Sequence, residues 1–379
     1  MRRDFHRHPE LGFKETRTSG IVADHLRSLG LEVTTGVGET GVVAVLAGAK
    51  PGRTIAIRAD MDALPITEAQ NRPYASQTPG VMHACGHDGH TAAALMAAEV
   101  LAAHKDELTG SVKFLFQPAE ELAMGAEKMI RDGAMKDPNV DAVIAVHVWN
   151  TTPVGTVALR DGPLWASADR LDIKITGRGG HGAMPHQTID PIPVAAQVIL
   201  ALQHLVSTEN PAFQPAVLTI GSIHGGSAFN IIPDTVSLLG TLRAFDMDQR
   251  NTLVERAEEI VRGICLAMRT DYEFEAEFLT PPVVNHSGIT ELVRDVARRI
   301  VGPDKVVTAE QSTAGDDQAY FQSDAPGCYI LVGSANPDKG FDRPHHHHEF
   351  DFDEAALPLA VEVLASTAVE YLSRQHPPA

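Results

Sequence analysis

The chain has 379 residues, more than a single hydrophobic core usually supports, so two domains are expected. It carries 31 Lys and Arg against 49 Asp and Glu, a net charge of −18, which argues against nucleic acid or an anionic membrane as a partner. No stretch approaches the roughly 18 apolar residues of a membrane span. The first residues do not resemble a secretory signal, and three cysteines are too few for a disulfide framework. A cytoplasmic protein is expected.

Helical and strand patterns alternate through the first half of the chain. A helix is predicted over residues 15–29, and buried strands over 54–58, 111–116 and 142–148. This alternation favours an α/β domain that has a mixed, mostly parallel sheet with helices on both faces. Unusual polar residues follow the strands, and ligands bind beyond the carboxyl ends of parallel strands. The sequence therefore predicts a shared site at that edge of the sheet.

The pattern changes near Ser167. Alternating strands, a helix over residues 190–206 and a long amphipathic helix over residues 247–268 predict an inserted α+β unit. The helix and strand pattern of the first domain resumes after Pro282. We therefore predict a discontinuous catalytic domain over residues 1–167 and 277–379, and an inserted domain over residues 168–276.

Residues 82–90, Met-His-Ala-Cys-Gly-His-Asp-Gly-His, place a thiol, three imidazoles and a carboxylate at the start of an apolar helical run. Sulfur beside imidazole favours zinc or another borderline divalent ion. The alternative is a surface histidine cluster around an inert Cys85, and the density of donors argues against it.

Further candidate donors follow in other segments. His147 lies in a predicted apolar strand, where a histidine is more often a core residue than a ligand. Residues 345–348 are four consecutive histidines. One or two of them can bind a metal ion; the alternative is that all four form a solvated loop. About five donors suit two metals better than one, because a structural zinc saturates at four. Two ions about 3.5–4 Å apart can share a water molecule.

The adjacent carboxylates Glu120 and Glu121 follow an apolar strand and a Gln-Pro-Ala turn. Since adjacent side chains point in different directions, one carboxylate can bind metal while its neighbour accepts a proton from an activated water. The alternative is a pair of solvated glutamates at a helix start, which the helix dipole favours.

The inserted domain carries a second cluster of polar residues. The glycine-rich segment 177–186 bears His181 and His186, but it lacks the Lys-Ser/Thr ending of a phosphate-binding loop. Asn230 and Arg243 are predicted on adjacent strands, and arginine suits bidentate binding of a carboxylate. The alternatives are that Asn230 is an ordinary turn residue and that Arg243 is an ordinary surface cation.

Together these residues resemble the amidohydrolases of the hippurate hydrolase and indole-acetyl-amino-acid hydrolase group, within the aminoacylase and carboxypeptidase G superfamily of two-metal peptidases. The resemblance covers nearly the whole chain. It rests on the motifs at residues 5–11, 58–65, 82–90, 116–121, 179–186 and 350–352.

The resemblance implies hydrolysis of the amide of N-acyl amino acids in a homodimer that has no nucleic acid or membrane partner. Each subunit would hold two divalent ions, zinc foremost, with manganese, cobalt or nickel as alternatives. The implied metal ligands are Cys85, His87, Glu121, His147 and His346. Glu120 would be the general base, and Asp62 would orient a metal-binding imidazole.

In the inserted domain, the resemblance implies that His181 stabilises the oxyanion from the partner subunit. It also implies that Asn230 and Arg243 bind the substrate carboxylate, and that the domain acts as a lid and dimer interface. A dipeptidase of the same superfamily is the alternative activity, followed by a non-catalytic metal-binding homologue.

The sequence departs from the group at two places that bear on the site. Four histidines stand where one is usual, and counting back from Phe350 selects His346, with His345 and His347 left open. Asp316 and Gln318 replace residues of a Gly-Ser-Glu-Asp-Phe motif that the group usually shows.

Overall fold

The structure is a computed structural model that describes residues 1–69 and 72–374. Its helices are α1 (Arg2–Arg7), α2 (Thr16–Ser28), α3 (His87–Ala103), α4 (Gly125–Arg131), α5 (Pro191–His204), α6 (Met247–Met268), α7 (Ser287–Val301), α8 (Gln318–Asp324) and α9 (Ala356–Ser373). Its strands are β1 (Glu32–Val37), β2 (Gly41–Ala47), β3 (Lys50–Asp60), β4 (Thr109–Gln117), β5 (Ala142–Pro153), β6 (Val157–Leu159), β7 (Gly162–Trp165), β8 (Ala168–Thr176), β9 (Gly180–His181), β10 (Ala216–His224), β11 (Ile231–Ile232), β12 (Thr235–Ala244), β13 (Asp271–Thr280), β14 (Val283–Asn285), β15 (Val306–Thr308) and β16 (Gly327–Ala335).

The chain divides into two compact units, which we call the first and second units. The first comprises Met1–Leu164, Val284–Glu310 and Asp316–Ala379, and the second comprises Trp165–Val283 and Gln311–Gly315. The second unit thus extends beyond the predicted boundary at residue 276, because β13 continues to Thr280 and pairs with β8 along its length. The five residues 311–315 also belong to it.

The first unit is built on an eight-stranded mixed sheet with the order β1-β2-β4-β3-β5-β16-β6-β15. Strands β4, β3, β5 and β16 are mutually parallel, and the flanking pairs β1-β2, β2-β4 and β16-β6 are antiparallel. Side chains from α2, α3, α7 and α9 form the core on one face, and side chains from α4 and α8 pack on the other. The predicted α/β class is confirmed.

The continuous apolar runs of the central strands follow from burial on both faces. In β2, Val42, Ala44 and Leu46 contribute to the core on the α3 side, while Val43 contributes to the opposite core. Strands β3 and β4 end side by side, with Asp60 paired to Gln117. Polar side chains therefore begin at the carboxyl edge of the sheet, where the site was predicted.

The second unit contains a four-stranded antiparallel sheet with the order β10-β12-β8-β13. Helices α5 and α6 supply the side chains that bury one face of this sheet, including Val194, Val198 and Val261. A separate two-stranded pair joins β9 to β11. The separate antiparallel sheet agrees with the predicted α+β character of the insertion.

Two helical segments correct the expectation that no stretch matches a membrane span. Pro191–Glu209 and Ala356–Ser373 are long and apolar enough by length and composition. Both supply side chains to hydrophobic cores, Val198 and Leu202 in one case and Val363 and Leu364 in the other. Core helices commonly share the composition of membrane spans.

Candidate metal centre

The Cys85 loop enters helix α3 through a tight turn. Gly86 has φ +97°, in the left-handed region, and a Cβ there would lie 2.4 Å from Val148 Cγ2, so the turn requires glycine. The turn makes His87 the first residue of α3. Cys85 Sγ lies 3.6 Å from His147 Nε2, so the loop meets strand β5 at the predicted histidine.

His87 is held through one ring nitrogen and presents the other to carboxylates. Nδ1 lies 2.9 Å from the backbone oxygen of Asp62 and 3.2 Å from Asp62 Oδ1, an arrangement that places the proton on Nδ1. Nε2 lies 3.7 Å from Glu120 Oε2 and 3.8 Å from Glu121 Oε1. This nitrogen is buried, and no residue in the described part of the chain forms a hydrogen bond with it. Such an atom fits a metal-binding position.

The electrostatics around these donors favour a positive charge. Burial alone would lower the pKa of His87, but Asp60 and Cys85 hold it well above its ordinary value. Hydrogen bonds with Cys85 and Glu121 raise the pKa of His346 to about 10 despite partial burial. A bound cation supplies the charge that these surroundings stabilise, so the residues present fit a divalent metal.

Glu120 and Glu121 lie in a single helical turn between Ala119 and Ala123, whose φ values of 51° and 56° are left-handed. The backbone N–H of Glu121 donates to Asp62 Oδ2 at 3.0 Å. Asp62 therefore contacts both His87 and the glutamate turn, which fixes the two segments relative to each other.

Burial raises the pKa of the Glu120 carboxyl well above its usual range, and the carboxylates of Asp316 and Glu121 raise it further, whereas His87 opposes the shift. A carboxylate of raised pKa accepts a proton more readily, which suits a general base. Glu120 thus differs electrostatically from an ordinary solvated glutamate at a helix start.

His147 lies within strand β5 and is almost fully buried. Its Nδ1 donates to the backbone oxygen of Val148 at 2.6 Å, so Nε2 points to Cys85 without a proton. Burial, reinforced by His90 and His345, holds the pKa of His147 well below its ordinary value. A neutral imidazole with a fixed tautomer is the form that binds metal.

Among the four consecutive histidines, His346 reaches the candidate donors. Its backbone N–H donates to Ala84 at 2.8 Å, and its φ of 64° is left-handed, which is uncommon for histidine. Its Nε2 lies 3.4 Å from Glu121 Oε1. Strained backbone of this kind often accompanies functional positions.

The neighbouring histidines have other contacts. Nδ1 of His345 lies 3.3 Å from the backbone oxygen of Cys85, and Nε2 accepts from the backbone N–H of Asn150 at 3.3 Å. Burial lowers the pKa of His345 to about 3. Nδ1 of His347 accepts from the backbone N–H of Glu349 at 3.1 Å. This geometry favours His346 over both alternatives.

The donor atoms form overlapping groups in which all atoms lie within 4.8 Å of one another. Four of these groups are Cys85–His87–His147, Cys85–Glu121–His346, His87–Glu120–Glu121 and Asp60–His87–His90, and a further group, His347–His348–Glu349, shares no residue with these four. Cys85 and His87 each occur in more than one group, as expected if two neighbouring positions share a cluster of donors.

His90 belongs to this cluster by position but has both ring nitrogens engaged. Nδ1 lies 2.7 Å from Asp60 Oδ1, and Nε2 accepts from the backbone N–H of Val148 at 2.9 Å. Burial alone would raise the pKa of Asp60, but His87, Arg58 and His90 hold it well below its usual range. His90 thus links Asp60 to the backbone of strand β5 next to the candidate ligands.

Sequence reasoning missed a fully buried polar network beneath Glu120. Arg58 donates to Gln117 Oε1 at 2.7 Å, to Asp60 Oδ2 at 2.7 Å, to Asp316 Oδ1 at 3.1 Å and to Asp317 Oδ1 at 3.3 Å. Alternate residues of a strand share one face, so Arg58 and Asp60 were recognisable as a pair. Their partners from residues 316–317 had no local signal.

A second buried cluster, which we call the Arg2 cluster, ties helix α1 to the metal-donor segments. Arg2 lies 2.7 Å from Asp88 Oδ2 and 2.8 Å from Asp351 Oδ1. His6 Nδ1 lies 2.8 Å from the same oxygen of Asp88. Asp88 follows His87 directly, so this cluster contacts the first turn of α3.

In the second unit, His181 and Asn230 lie close together on exposed backbone. Ile231 pairs with His181 between β11 and β9, and Gly182 N–H donates to the backbone oxygen of Asn230 at 2.8 Å. His181 Nδ1 accepts from Ala183 N–H at 3.0 Å, which places the proton of the neutral ring on Nε2. The exposed edge of His181 is therefore a hydrogen-bond donor.

Arg243 lies near the end of β12 between the buried residues Leu242 and Ala244. Asn230 precedes β11, which pairs with β9 in a separate sheet, so the prediction that Asn230 and Arg243 lie on adjacent strands is wrong. Burial lowers the pKa of Arg243, and Asp169 opposes the shift. It is thus a partly desolvated cation, unlike an ordinary surface arginine.

The three cysteines are all unpaired. Cys85 is partly exposed, whereas Cys265 in α6 and Cys328 in β16 are buried. Burial raises the pKa of Cys328 to about 12, so this thiol is unreactive. Cys85 is the one of the three that is partly exposed, and burial and the Glu121 carboxylate raise the pKa of its thiol as well.

The chain is similar over most of its length to metal-dependent hydrolases. The model of peptidase family M20/M25/M40 matches residues 56–370. The N-acetyl-L-cysteine deacetylase of Bacillus subtilis is 42% identical over 372 residues, covering 98% of this chain and 87% of the relative. The N-acyl-L-amino acid amidohydrolase of Geobacillus stearothermophilus is 45% identical over 310 residues, covering 80% of this chain and 83% of the relative.

Among solved structures, the YxeP protein of Bacillus subtilis, a dinuclear metal-binding peptidase of the M20 family, has a TM-score of 0.86. It is 37% identical, and the match covers 98% of this chain and 96% of that one. The fold and these likenesses define a metal-dependent amidohydrolase. The chain belongs to peptidase family M20/M25/M40. The family resemblance inferred from the motifs is confirmed.

Proposed function

We propose that the protein hydrolyses the amide bond of N-acyl amino acids to a carboxylic acid and a free amino acid. The observation that carries the proposal is the position of Glu120, 3.7 Å from the unpartnered Nε2 of His87 and beside Glu121. A metal-binding carrier needs no such additional carboxylate. Two of the relatives carry names that specify this class of substrate.

In this proposal, each subunit holds two divalent metal ions, zinc foremost, with manganese, cobalt or nickel as alternatives. The residues that would hold them are Cys85, His87, Glu121, His147 and His346, whose donor atoms converge in the first unit. When bound, such ions polarise a carbonyl group and lower the pKa of water.

Glu120 acts as the general base and then as the general acid. It takes a proton from the attacking water as the water oxygen bonds to the carbonyl carbon. It then delivers that proton to the amide nitrogen as the C–N bond breaks. The raised pKa of Glu120 supports this role, because the residue must hold the proton between the two steps. Asp62 positions His87 and the glutamate turn.

His181 is proposed to donate its Nε2 proton to the scissile carbonyl oxygen, from the partner subunit of a homodimer. Asn230 and Arg243 bind the carboxylate end of the substrate. The hydrogen bond from Ala183 supports the donor role, since it leaves the proton of neutral His181 on Nε2. The second unit is proposed to serve as lid and dimer interface, which would exclude water from the reaction.

Mixing two inactive variants tests the shared site. Glu120→Gln and His181→Ala proteins are expected to regain part of the activity in heterodimers, because one of the two sites would then be intact. Absence of rescue, with subunit exchange verified by differently tagged chains, would contradict a site completed by the partner.

A dipeptidase is the second candidate, favoured by the peptidase activity in the name of the YxeP structure. Metal-reconstituted protein should be assayed with hippurate, N-acetyl-methionine, N-acetyl-diaminopimelate and indole-acetyl-alanine, beside a panel of dipeptides. Higher kcat/KM on the acylated amino acids supports our proposal, and exclusive cleavage of dipeptides refutes it. A cytoplasmic location is also proposed, and cell fractionation tests it.

A further inference from the structure

The turn that carries Glu120 and Glu121 has an unfavourable backbone conformation at both ends. Ala119 and Ala123 have φ values of 51° and 56°, in the left-handed region that alanine adopts only at an energetic cost. Such a conformation persists where the surrounding contacts determine it. The contacts of the turn therefore control the directions of the two glutamate side chains.

Two carboxylates from distant segments hold backbone N–H groups of this turn. Asp62 accepts from the N–H of Glu121 at 3.0 Å, and Glu15 Oε1 accepts from the N–H of Ala119 at 2.8 Å. Ala119 is fully buried, so its N–H needs a partner within the protein. The contact with Glu15 lies one residue before Glu120, and the contact with Asp62 lies one residue after it.

Glu15, which directly precedes helix α2, is itself held in place. Its side chain is fully buried, and Oε2 accepts from the hydroxyl of Thr40 at 2.5 Å. Burial raises the pKa of the Glu15 carboxyl, and the hydrogen bond from Thr40 opposes the shift. Burial of a carboxyl group is unfavourable unless hydrogen bonds compensate for it. The two contacts of Glu15 supply that compensation and fix both of its oxygens.

The segment around Glu15 also packs closely against the glutamate turn. A Cβ at Gly12 would lie 3.0 Å from Ala119 Cβ and 3.0 Å from Leu122 Cδ1, so the backbone passes directly over the turn. All of these residues belong to the first unit, so the contacts lie within one compact body. The segment therefore limits the movement of the turn as well as binding it.

We propose that Glu15 is a positioning residue, which fixes the direction of the Glu120 carboxylate by holding the N–H of Ala119. It acts through the backbone of the turn and does not touch the reacting atoms. Because the same turn carries Glu121, Glu15 also supports the candidate metal ligand at that position. The inference rests on the proposed function and adds a residue to it.

Replacement of the carboxylate tests this role. Glu15→Met removes both oxygens and keeps an unbranched side chain of similar length. At saturating metal, kcat for an N-acyl amino acid is expected to fall roughly tenfold to a hundredfold, whereas KM should change little. Glu15→Gln keeps an oxygen for the N–H of Ala119 and an amide that can donate to Thr40. Its kcat should therefore be close to that of wild type.

Glu10→Met is the matched control from the same segment. The Glu10 carboxylate also accepts from backbone N–H groups, those of Arg17 at 2.9 Å and Thr18 at 2.8 Å, but both lie in helix α2. This variant should lower the thermal midpoint and leave kcat at the wild-type value. An equal fall of kcat in Glu10→Met and Glu15→Met would overturn the positioning role.

A double variant shows whether Glu15 acts through Glu120. Residues that act through one group have non-additive effects, so Glu15→Met should lower kcat in the wild-type background and change it little in Glu120→Gln. A purely structural residue would lower kcat by the same factor in both backgrounds. That result would overturn the proposal.

Two measurements without turnover examine the turn directly. Hydrogen exchange followed by mass spectrometry should show faster exchange of the Ala119 amide in Glu15→Met, with exchange in helix α3 unchanged. Titration of the metal-free protein with Zn²⁺ should give a Kd roughly tenfold weaker than that of wild type. If Glu15→Met does not fold, Glu15→Asp, which is one methylene shorter, is measured against the same criteria.

These measurements separate failure of the positioning role from failure of the proposed function. Faster exchange and weaker Zn²⁺ binding in Glu15→Met, in a protein whose wild type hydrolyses no N-acyl amino acid, would refute the function and keep the role of Glu15 in holding the turn. Hydrolysis by wild type, with kcat, Kd and exchange all unchanged in Glu15→Met, would refute only the positioning role.

Discussion

The candidate metal ligands of the first unit and the candidate substrate residues of the second are held in contrasting ways. His87 and His147 are buried, and each has its Nδ1 fixed by a backbone oxygen. His181 and Asn230 are exposed and lie on or beside strands of two residues. The first unit therefore fixes its candidate ligands by contacts within the chain, whereas the polar side chains of the second unit are exposed.

Two buried polar networks connect distant segments of the first unit. Arg58 binds three carboxylates beneath Glu120, and Arg2 binds the carboxylates beside His87 and Phe352. The satisfied network of Arg58 specifies one arrangement of the side chains that it contacts, whereas in the Arg2 cluster Asp88 Oδ1 has no hydrogen-bond partner among the described residues. The core of the second unit is apolar.

The largest effect is expected for the loss of the Glu120 carboxylate in the first unit, and it concerns kcat. Glu120→Gln should lower kcat by roughly a thousandfold or more while the metal content stays at the wild-type value, because the amide cannot accept the proton. Kinetics and elemental analysis on the same preparation measure both quantities. Glu121→Gln is the matched control, and it should lose metal. Substantial turnover in Glu120→Gln would remove Glu120 as the base.

The next effect tests whether the Arg2 cluster stabilises the first unit. Arg2→Ala should lower the free energy of unfolding by about 3–5 kcal/mol, since it leaves buried carboxylates without their partner. Arg3→Ala removes a more exposed arginine that also pairs with Glu354, and should cost about 1 kcal/mol or less. Chemical denaturation measures both. Equal losses of unfolding free energy in the two variants would show that the buried ion pairs of the Arg2 cluster stabilise the protein no more than the exposed one.

The substrate residues of the second unit should affect binding more than stability. Arg243→Ala should raise KM for an N-acyl amino acid by the equivalent of about 2–4 kcal/mol, because an ion pair with the carboxylate is lost. Arg170→Ala, an exposed arginine on strand β8 paired with Asp172, is the control and should leave KM unchanged. A KM for Arg243→Ala equal to that of wild type would exclude this role for the guanidinium.

The smallest effect concerns the pH dependence of stability. Burial alone would lower the pKa of His6, but Asp88 outweighs burial and raises it to about 9. The proton on His6 therefore stabilises the fold fully below about pH 6.5, and the contribution is lost as the pH rises through 9. Between pH 7 and pH 9, the metal-free wild type should lose about 2 kcal/mol from this source.

His6→Gln lacks this titration, so its free energy of unfolding should decline less over the same interval. His8→Gln, two residues away and outside the Arg2 cluster, should follow the wild type. Parallel curves for wild type and His6→Gln in denaturant titrations at both pH values would contradict the assignment.

The sequence predicted those parts of the molecule that rest on local patterns. The α/β class follows from alternating elements, and the choice of His346 follows from counting back from Phe350; the structure places this histidine beside Glu121. The contacts of Arg58 with Asp316 and Asp317 join positions 258 and 259 residues apart, so no local pattern announces them.

Other features depend on tertiary packing in the same way. The hydrogen bond from the N–H of Ala119 to Glu15 becomes visible only when the surrounding atoms are placed, since the two residues are 104 positions apart. The second unit extends past residue 276, the predicted end of the insertion, because β13 continues to Thr280 and remains paired with β8.

Because the three thiols differ in accessibility, chemical labelling of the cysteines can report on the state of the protein. Cys265 and Cys328 are buried, so an alkylating reagent added to folded protein reaches Cys85 first. A ligand on its sulfur blocks that reaction, and unfolding opens the other two thiols to it. One mass measurement after brief labelling therefore reports, in a single spectrum, the fraction of chains with a free Cys85 and the fraction that has lost its fold.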